Sequence, residues 1–309
     1  MKILVTGGAG FIGSHVVEKH SLAGDDVVVV DDLSMGNLEN INGFDNVTFY
    51  NESISNFNFM DGLLIKEKFD VIYLLAAIAS VADTINRPYE SHRVNQEANI
   101  HILETIRTQK LNIKRLLFSS SAAVYGTLPD LPKNETMAVS PATAYAIDKY
   151  ATERFVLSYA KLYHVPAVAV RFFNVYGPRQ NPSSPYSGVL SIISNSLVSN
   201  KPFKIFGDGQ QTRDFVFVND VVNALWLAES NPDMIGEVFN VASGKTHTLL
   251  QAIEMLEKAS GKKLDYALGD ERVGDIHDSA ADISKLESVG FKATYTFEQG
   301  IAAYWESLK

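Results

Sequence analysis

The 309-residue chain contains no cysteine. That excludes disulfides, thiolate metal sites and a cysteine nucleophile, and it fits a reducing compartment. Positive charge is scarce: 27 Lys and Arg stand against 36 Asp and Glu, a net charge of -9. Nucleic acid needs a basic face to meet its phosphates, so it is excluded as a partner. No apolar run approaches the roughly 20 residues of a membrane span. The opening MKILVTGGAG meets glycine too early for a secretory signal. No repeat of solenoid period and no low-complexity tract occurs. The seven histidines suggest no metal site. The expectation is a cytoplasmic protein of one large domain or two smaller ones, with ample core either way.

What is present is alternation. KILVT (2–6), DVVVVD (26–31), FDVIYLLA (69–76), RLLFSSS (115–121) and PAVAVRFFN (166–174) are apolar on both faces, as strands of a parallel sheet must be. Helix-length segments at 11–23, 92–109 and 144–163 lie between them. Strand and helix in turn predict an α/β fold, a doubly wound parallel sheet. After residue 174 the stretch NVYGPRQNPSSPYSG reads as a long loop and a boundary. The expected division is a dinucleotide-binding domain at 1–174 and a smaller, interleaved lobe at 175–309, with segments near 214–243 returning to the first.

LVTGGAGFIG ends a strand, turns on glycine and opens a helix. Gly7, Gly10 and Gly13 allow the tight turn, the approach of a pyrophosphate and close packing of helix on strand. The next strand ends in Asp31, whose carboxylate can accept from ribose hydroxyls and would repel a 2′-phosphate. No Lys or Arg occurs from Asp31 to Asn46 to offset it. The cofactor expected is NAD.

AYAIDKY (144–150) places Tyr145 and Lys149 four apart, on one helix face. An ammonium favours an ionised phenol, so the pair could be a base. Any helix carries such pairs, and spacing alone does not decide.

TGGAGFIG, DDLSMGN, LAAIASV, SSSAAVYG, YAIDK, RFFNVYGPRQNP and FGDGQQTRDFVFVNDV occur in this order along nearly the whole chain. Together they resemble the extended short-chain dehydrogenase/reductases, and among them the UDP-sugar 4-epimerases. The resemblance implies a Rossmann-type sheet with a smaller C-terminal substrate lobe. It makes Tyr145 the catalytic base, its pKa lowered by Lys149 and by the positive nicotinamide ring, with Lys149 also holding the nicotinamide ribose. Ser121 bonds the same hydroxyl, while Ser119 and Ser120 are expected to be strand-end turn residues and Tyr125 to pack beside the site. Further cofactor contacts carried over are Phe11, Ile12, Asp32, Leu33, Ser34, Met35, Gly36, Ile54, Leu75, Ala76, Ala77, Ala79, Asn95 and Phe173. Ser53 stands where the family usually has an aspartate near the adenine amino group, a departure that weakens that contact.

The resemblance also implies a UDP-sugar substrate held by Ser80, Asn174, Gly188, Val189, Lys204, Ile205, Phe206, Arg213, Arg272 and Asp275. Dehydratases of this fold carry an acidic pair after the active-site hydroxyl, and decarboxylases a glutamate. Here Ala122 and Ala123 occupy those positions, which suits an epimerase. Ser279 stands where epimerases restricted to UDP-glucose and UDP-galactose carry a tyrosine, leaving room for an N-acetyl group. The substrates implied are UDP-GlcNAc and UDP-GalNAc, with UDP-glucose and UDP-galactose as further substrates. The alternatives are a glucose-only or a UDP-glucuronate epimerase, a net oxidoreductase, or an NAD-binding scaffold. The family pairs helices near 92–109 and 144–163 across a homodimer.

Overall fold

Branched apolar side chains on both faces fit β1 (Lys2–Thr6) and β2 (Asp26–Asp31) to the middle of a sheet. Val27, Val29 and Val30 are fully buried. The computed structural model describes residues 1–79, 81–181, 188–270 and 277–309, without the side chains of Val81 and Ala82. Ser80, Arg272 and Asp275 lie outside the described residues.

Along the chain follow α1 (Phe11–Leu22), β3 (Val47–Asn51), α2 (Phe57–Glu67), β4 (Val71–Leu74), α3 (Val81–Asn86), α4 (Pro88–His92), α5 (Ala98–Thr108), β5 (Arg115–Ser121), α6 (Ala144–Tyr163) and β6 (Ala167–Phe172). Next come β7 (Asn174–Tyr176), α7 (Val189–Ser199), β8 (Phe203–Phe206), β9 (Thr212–Phe217), α8 (Val218–Ser230) and β10 (Val238–Val241). The last are β11 (Thr246–Thr248), α9 (Leu249–Ser260), β12 (Tyr266–Gly269), β13 (Asp278–Ser279), α10 (Ser284–Ser288) and α11 (Phe297–Glu306).

The chain divides into two compact units, the first formed by 1–126, 138–171 and 222–239, the second by 127–137, 172–221 and 240–309. A seven-stranded parallel sheet in the order β10-β6-β5-β4-β1-β2-β3 dominates the first. Successive strands run outward in opposite directions from β1 and β4, so a crevice opens at their carboxyl ends. One core cluster lies under α2, α5 and α6 and includes Ile72, Ile102, Leu103, Leu116 and Val156, each fully buried. Each such side chain contributes about 1.5–3 kcal/mol by leaving water. In the second unit β9 pairs with β7, β11 and β13, over a core of Ile193, Ile205, Ala252, Leu256 and Tyr304.

Three expected elements change in detail. The strand expected at 69–76 stops at Leu74, leaving 75–79 without regular structure. The helix expected at 92–109 starts at Pro88 and is interrupted by a π-helical turn at Arg93–Glu97, a feature often found beside functional sites. The strand expected at 166–174 breaks at Phe173, whose N–H bonds Val241 O at 3.1 Å. The edge strand β3, with two exposed residues, lacks the two-sided apolar signal that marks its neighbours.

Candidate active site

The glycine turn is shaped by contacts that no side chain could share. Gly7, at φ +70°, donates its N–H to Val30 O at 2.8 Å. A Cβ there would sit 2.8 Å from the backbone of Ala76, so β1 and β4 approach at their carboxyl ends only because the residue is glycine. A Cβ at Gly13 would lie 2.2 Å from Gly7 O. Gly10 caps α1, and its N–H bonds Gly7 O at 3.1 Å. Phe11 and Ile12, both half-buried, form the helix's first turn. The result is a bare backbone cradle at a helix N-terminus, the form a dinucleotide pyrophosphate requires.

Asp31 closes one side. Its Oδ2 accepts from Ala9 N at 3.0 Å and its Oδ1 from Leu33 N at 2.9 Å. Burial raises its pKa, and these amide bonds oppose that. Each carboxylate oxygen keeps acceptor capacity for a ribose hydroxyl. Gly36 passes so close that a Cβ would stand 2.8 Å from Asp31 Oδ1. Leu33 takes a positive φ of 57°, Asp32 Oδ1 accepts from Ser34 N at 3.0 Å, and Met35 is exposed. Ser53 spends its hydroxyl locally, accepting from Ser55 N at 3.2 Å, beside the buried Ile54.

The segment 75–79 is held rather than loose. Thr6 Oγ1 accepts from Leu75 N at 3.1 Å and Ala76 N at 3.3 Å. Asn95, in the π turn, accepts from Ile78 N at 2.8 Å and donates to Ile78 O at 3.1 Å. That uses the ends of its amide on the loop. Ala77 is half-buried and Ala79 exposed.

Ser121 ends β5 and caps the short turn Ala122–Tyr125, its Oγ accepting from Ala123 N at 3.2 Å. It also hydrogen-bonds Tyr145, at the start of α6. Thr143 caps that helix through Ala146 N. Lys149, one turn on, is 2 % exposed; its Nζ donates to Ser119 O at 2.8 Å and lies 5.9 Å from the centre of the Tyr145 ring. Ser121, Tyr145 and Lys149 thus converge where β5 ends.

The protein's own groups set only part of the electrostatics. Burial raises the Tyr145 pKa, opposed by the bond to Ser121, and burial lowers that of Lys149 to about 7. The lowering expected of Tyr145 involves the nicotinamide ring as well as Lys149, and a bound NAD would supply that positive charge.

Ser119 and Ser120 are not turn residues. Both are buried, Ser119 giving Lys149 its acceptor and Ser120 Oγ donating to Glu153 Oε2 at 2.6 Å. Glu153 and Arg171 form a buried two-pronged pair, at 2.6 and 2.9 Å, and Arg171 also covers the Tyr125 ring at 4.8 Å. Only the spacing of Glu153, one turn beyond Lys149, hinted at this pair.

In the second unit, Asn174 opens β7 and donates to Asp214 O at 3.2 Å, next to the buried Phe173. Arg213, on β9, donates from Nη1 to Thr212 O at 2.8 Å and His277 O at 2.9 Å. Ser279 pairs with it in register across β13 and is half-buried. Gly188 is exposed and caps α7, and Val189 is its first residue. Lys204 lies over the Phe206 ring at 5.3 Å. Ile205 is fully buried in the core and pairs in register with Leu268 of β12. Asp214, missed in the sequence, accepts from Ser243 N, Ser243 Oγ and Gly244 N at 2.7–3.0 Å, fixing a loop beside Arg213.

Among the described residues no cluster of three or more His, Cys, Asp or Glu could hold a metal ion, and no helix is long and apolar enough to cross a membrane.

Residues 3–242 match the NAD dependent epimerase/dehydratase family, and the chain belongs to it. The UDP-glucose 4-epimerase of Mycolicibacterium smegmatis is 36% identical over 306 residues, 98% of this chain and 96% of that protein. Among solved structures, UDP-N-acetylglucosamine 4-epimerase from Methanobrevibacter ruminantium, in complex with UDP-N-acetylmuramic acid, is 34% identical with a TM-score of 0.93. It covers 99% of this chain and 97% of its own. UDP-glucose 4-epimerase from Thermotoga maritima, with UDP-glucose, is 36% identical with a TM-score of 0.93, covering 100% and 98%. The protein is an NAD-dependent nucleotide-sugar 4-epimerase, an isomerase.

Proposed function

We propose that the chain interconverts UDP-GlcNAc and UDP-GalNAc, with UDP-glucose and UDP-galactose accepted as smaller substrates. The convergence of Ser121, Tyr145 and Lys149 supports the chemistry. Tyr145 removes the proton of the sugar's C4 hydroxyl while Ser121 hydrogen-bonds the same oxygen. Bound NAD, held by the glycine turn and Asp31, would supply the hydride acceptor and donor for C4, with hydride returned to the opposite face of the sugar. Between the two transfers the sugar is a 4-ketone, and Tyr145 gives its proton back to the C4 oxygen. Arg213 and Asn174 are read as diphosphate contacts, since a guanidinium fork suits phosphate oxygens.

The observation that carries the substrate preference is Ser279, a small residue half-buried and in register with Arg213. Next to a diphosphate-binding arginine, a serine leaves room for the C2 N-acetyl group and offers it a hydroxyl. The two solved relatives are named for different sugars, so their names alone do not choose. Purified protein is to be incubated with UDP-GlcNAc or UDP-glucose, without added NAD, and the anomeric proton signals followed by NMR. New UDP-GalNAc signal is expected. Ser279→Tyr is expected to lower UDP-GlcNAc turnover about 10–200-fold, the range a pocket obstruction gives, and to leave UDP-glucose turnover within a few-fold. Turnover of UDP-glucose alone by the parent would keep the chemistry and overturn the pocket argument; silence with both would point to a uronic acid or a non-catalytic binder.

We also read the protein as a homodimer through the helices near 92–109 and 144–163. Ile147, Phe155 and Leu162 are 41–61% exposed and recur at helical spacing along α6, an apolar row for a second copy. Sedimentation at micromolar concentration is expected to give twice the chain mass. A monomer throughout would reject this reading.

A further inference from the structure

Asp148 stands between the catalytic tyrosine and lysine in sequence, and none of the chemistry above uses it. It is 4 % exposed. Its Oδ1 accepts from His92 Nδ1 at 2.8 Å, while its Oδ2 is buried and has no hydrogen-bond partner. A carboxylate only accepts, so a neutral His92 must carry its proton on Nδ1. The His92 side chain, the last of α4, is 44 % exposed.

Beside it, Lys149 is buried with only Ser119 as acceptor, at 2.8 and 3.4 Å, and it has no ion pair among the described residues. Each of these charges alone is costly in a low-dielectric interior. Adjacent residues on a helix do not face each other, so they form no contact pair. They act on one another through the interior, where fields are poorly screened. Among the described residues the neighbouring charges are engaged elsewhere. Glu153, one turn further, is spent on Arg171. Arg93 and Glu97 in the π turn face each other at 3.7 Å, and Asp83 and Arg87 of the α3–α4 segment at 3.8 Å, all near the surface. On β5 Lys149 meets the Ser119 carbonyl and hydroxyl and lies 5.0 Å from the centre of the Phe118 ring.

We propose that Asp148 is a positioning residue of the proton relay: its buried carboxylate keeps the Lys149 ammonium charged, and His92 holds that carboxylate in place. The inference rests on the epimerase reading of Tyr145 and Lys149. Its direction agrees with the titration of Lys149, which burial lowers and Asp148 raises. The sign follows. Without the carboxylate, Lys149 loses its proton at lower pH, and the alkaline limb of kcat moves down. A cation placed permanently on Asp148 has the same effect.

The test is the pH profile of kcat for Asp148→Asn, Asp148→Glu, His92→Arg and His92→Gln. Asp148→Asn is expected to move the alkaline limb down by about one pH unit, so that activity on that limb falls about tenfold at fixed pH. Asp148→Glu is expected to restore the limb. His92→Arg, at a half-exposed position, is expected to shift it the same way by a smaller amount, and His92→Gln to leave it in place. If Asp148→Asn does not fold, His92→Arg decides. A limb unmoved in both, with activity merely scaled at every pH, would overturn the proposal. Loss of the whole profile in Tyr145→Phe but not in these variants keeps this outcome separate from failure of the epimerase reading.

Discussion

Tyr145→Phe is expected to lower turnover of every UDP-sugar substrate by about 10²–10⁴-fold, the range for losing a positioned general base. The substitution deletes one oxygen and keeps the ring that packs at the start of α6, so unfolding midpoints should agree within a few degrees. The change should also appear in the pH dependence. The base works only when ionised, and its ionisation depends on the bound cofactor's charge as well as on the protein. The parent's rate should therefore climb tenfold per pH unit on its acid limb, and that limb should vanish in the phenylalanine variant. Retention of more than a tenth of the activity, with the acid limb intact, would move the proton transfer to another group.

Gly13→Ala is expected to abolish cofactor retention. Its methyl would stand 2.2 Å from Gly7 O and 2.9 Å from Gly7 C and Gly8 Cα. These are backbone atoms of a turn closed by bonds from Gly7 N to Val30 O and from Gly10 N to Gly7 O, so they cannot yield as a flexible side chain would. Either α1 lifts from β1 or the turn opens, and both spoil the pyrophosphate cradle. Protein purified without added nucleotide should release no dinucleotide on denaturation, read by absorbance and chromatography, and activity should fall at least about a hundredfold. Gly62→Ala on α2, where the new methyl meets nothing within 4 Å, is the matched control and should keep its NAD. Full NAD content in Gly13→Ala would show that the helix does not need to approach so closely.

The features legible in the sequence are those written in short range. The glycine turn, Asp31 at the end of β2, the bounds of α6 and the Tyr145–Lys149 spacing follow from periodicity and from residues within about 20 positions of each other. What sequence reading missed depends on partners far along the chain. Nothing local says that Asn95 reaches back 17 residues to hold Ile78, or that Asp214 is committed to Ser243 and Gly244. Ser119 and Ser120 looked like turn residues because serine near a strand end usually is; their partners, Lys149 and Glu153, lie on the opposing helix. Helical spacing reveals that a lysine is near, but not that burial acts on both groups more strongly than either acts on the other. Edge position hid β3, whose exposed face lacks the apolar pattern.

The division of the backbone between the two units has a consequence for how such a protein can be rearranged. The chain passes from one unit to the other five times, at 126–127, 137–138, 171–172, 221–222 and 239–240. No single cut separates the part that carries Tyr145 from the part that carries Ser279. Neither is a module that recombination could lift out and graft onto another gene. A fragment ending near residue 174 would lack the 222–239 segment of its own first unit.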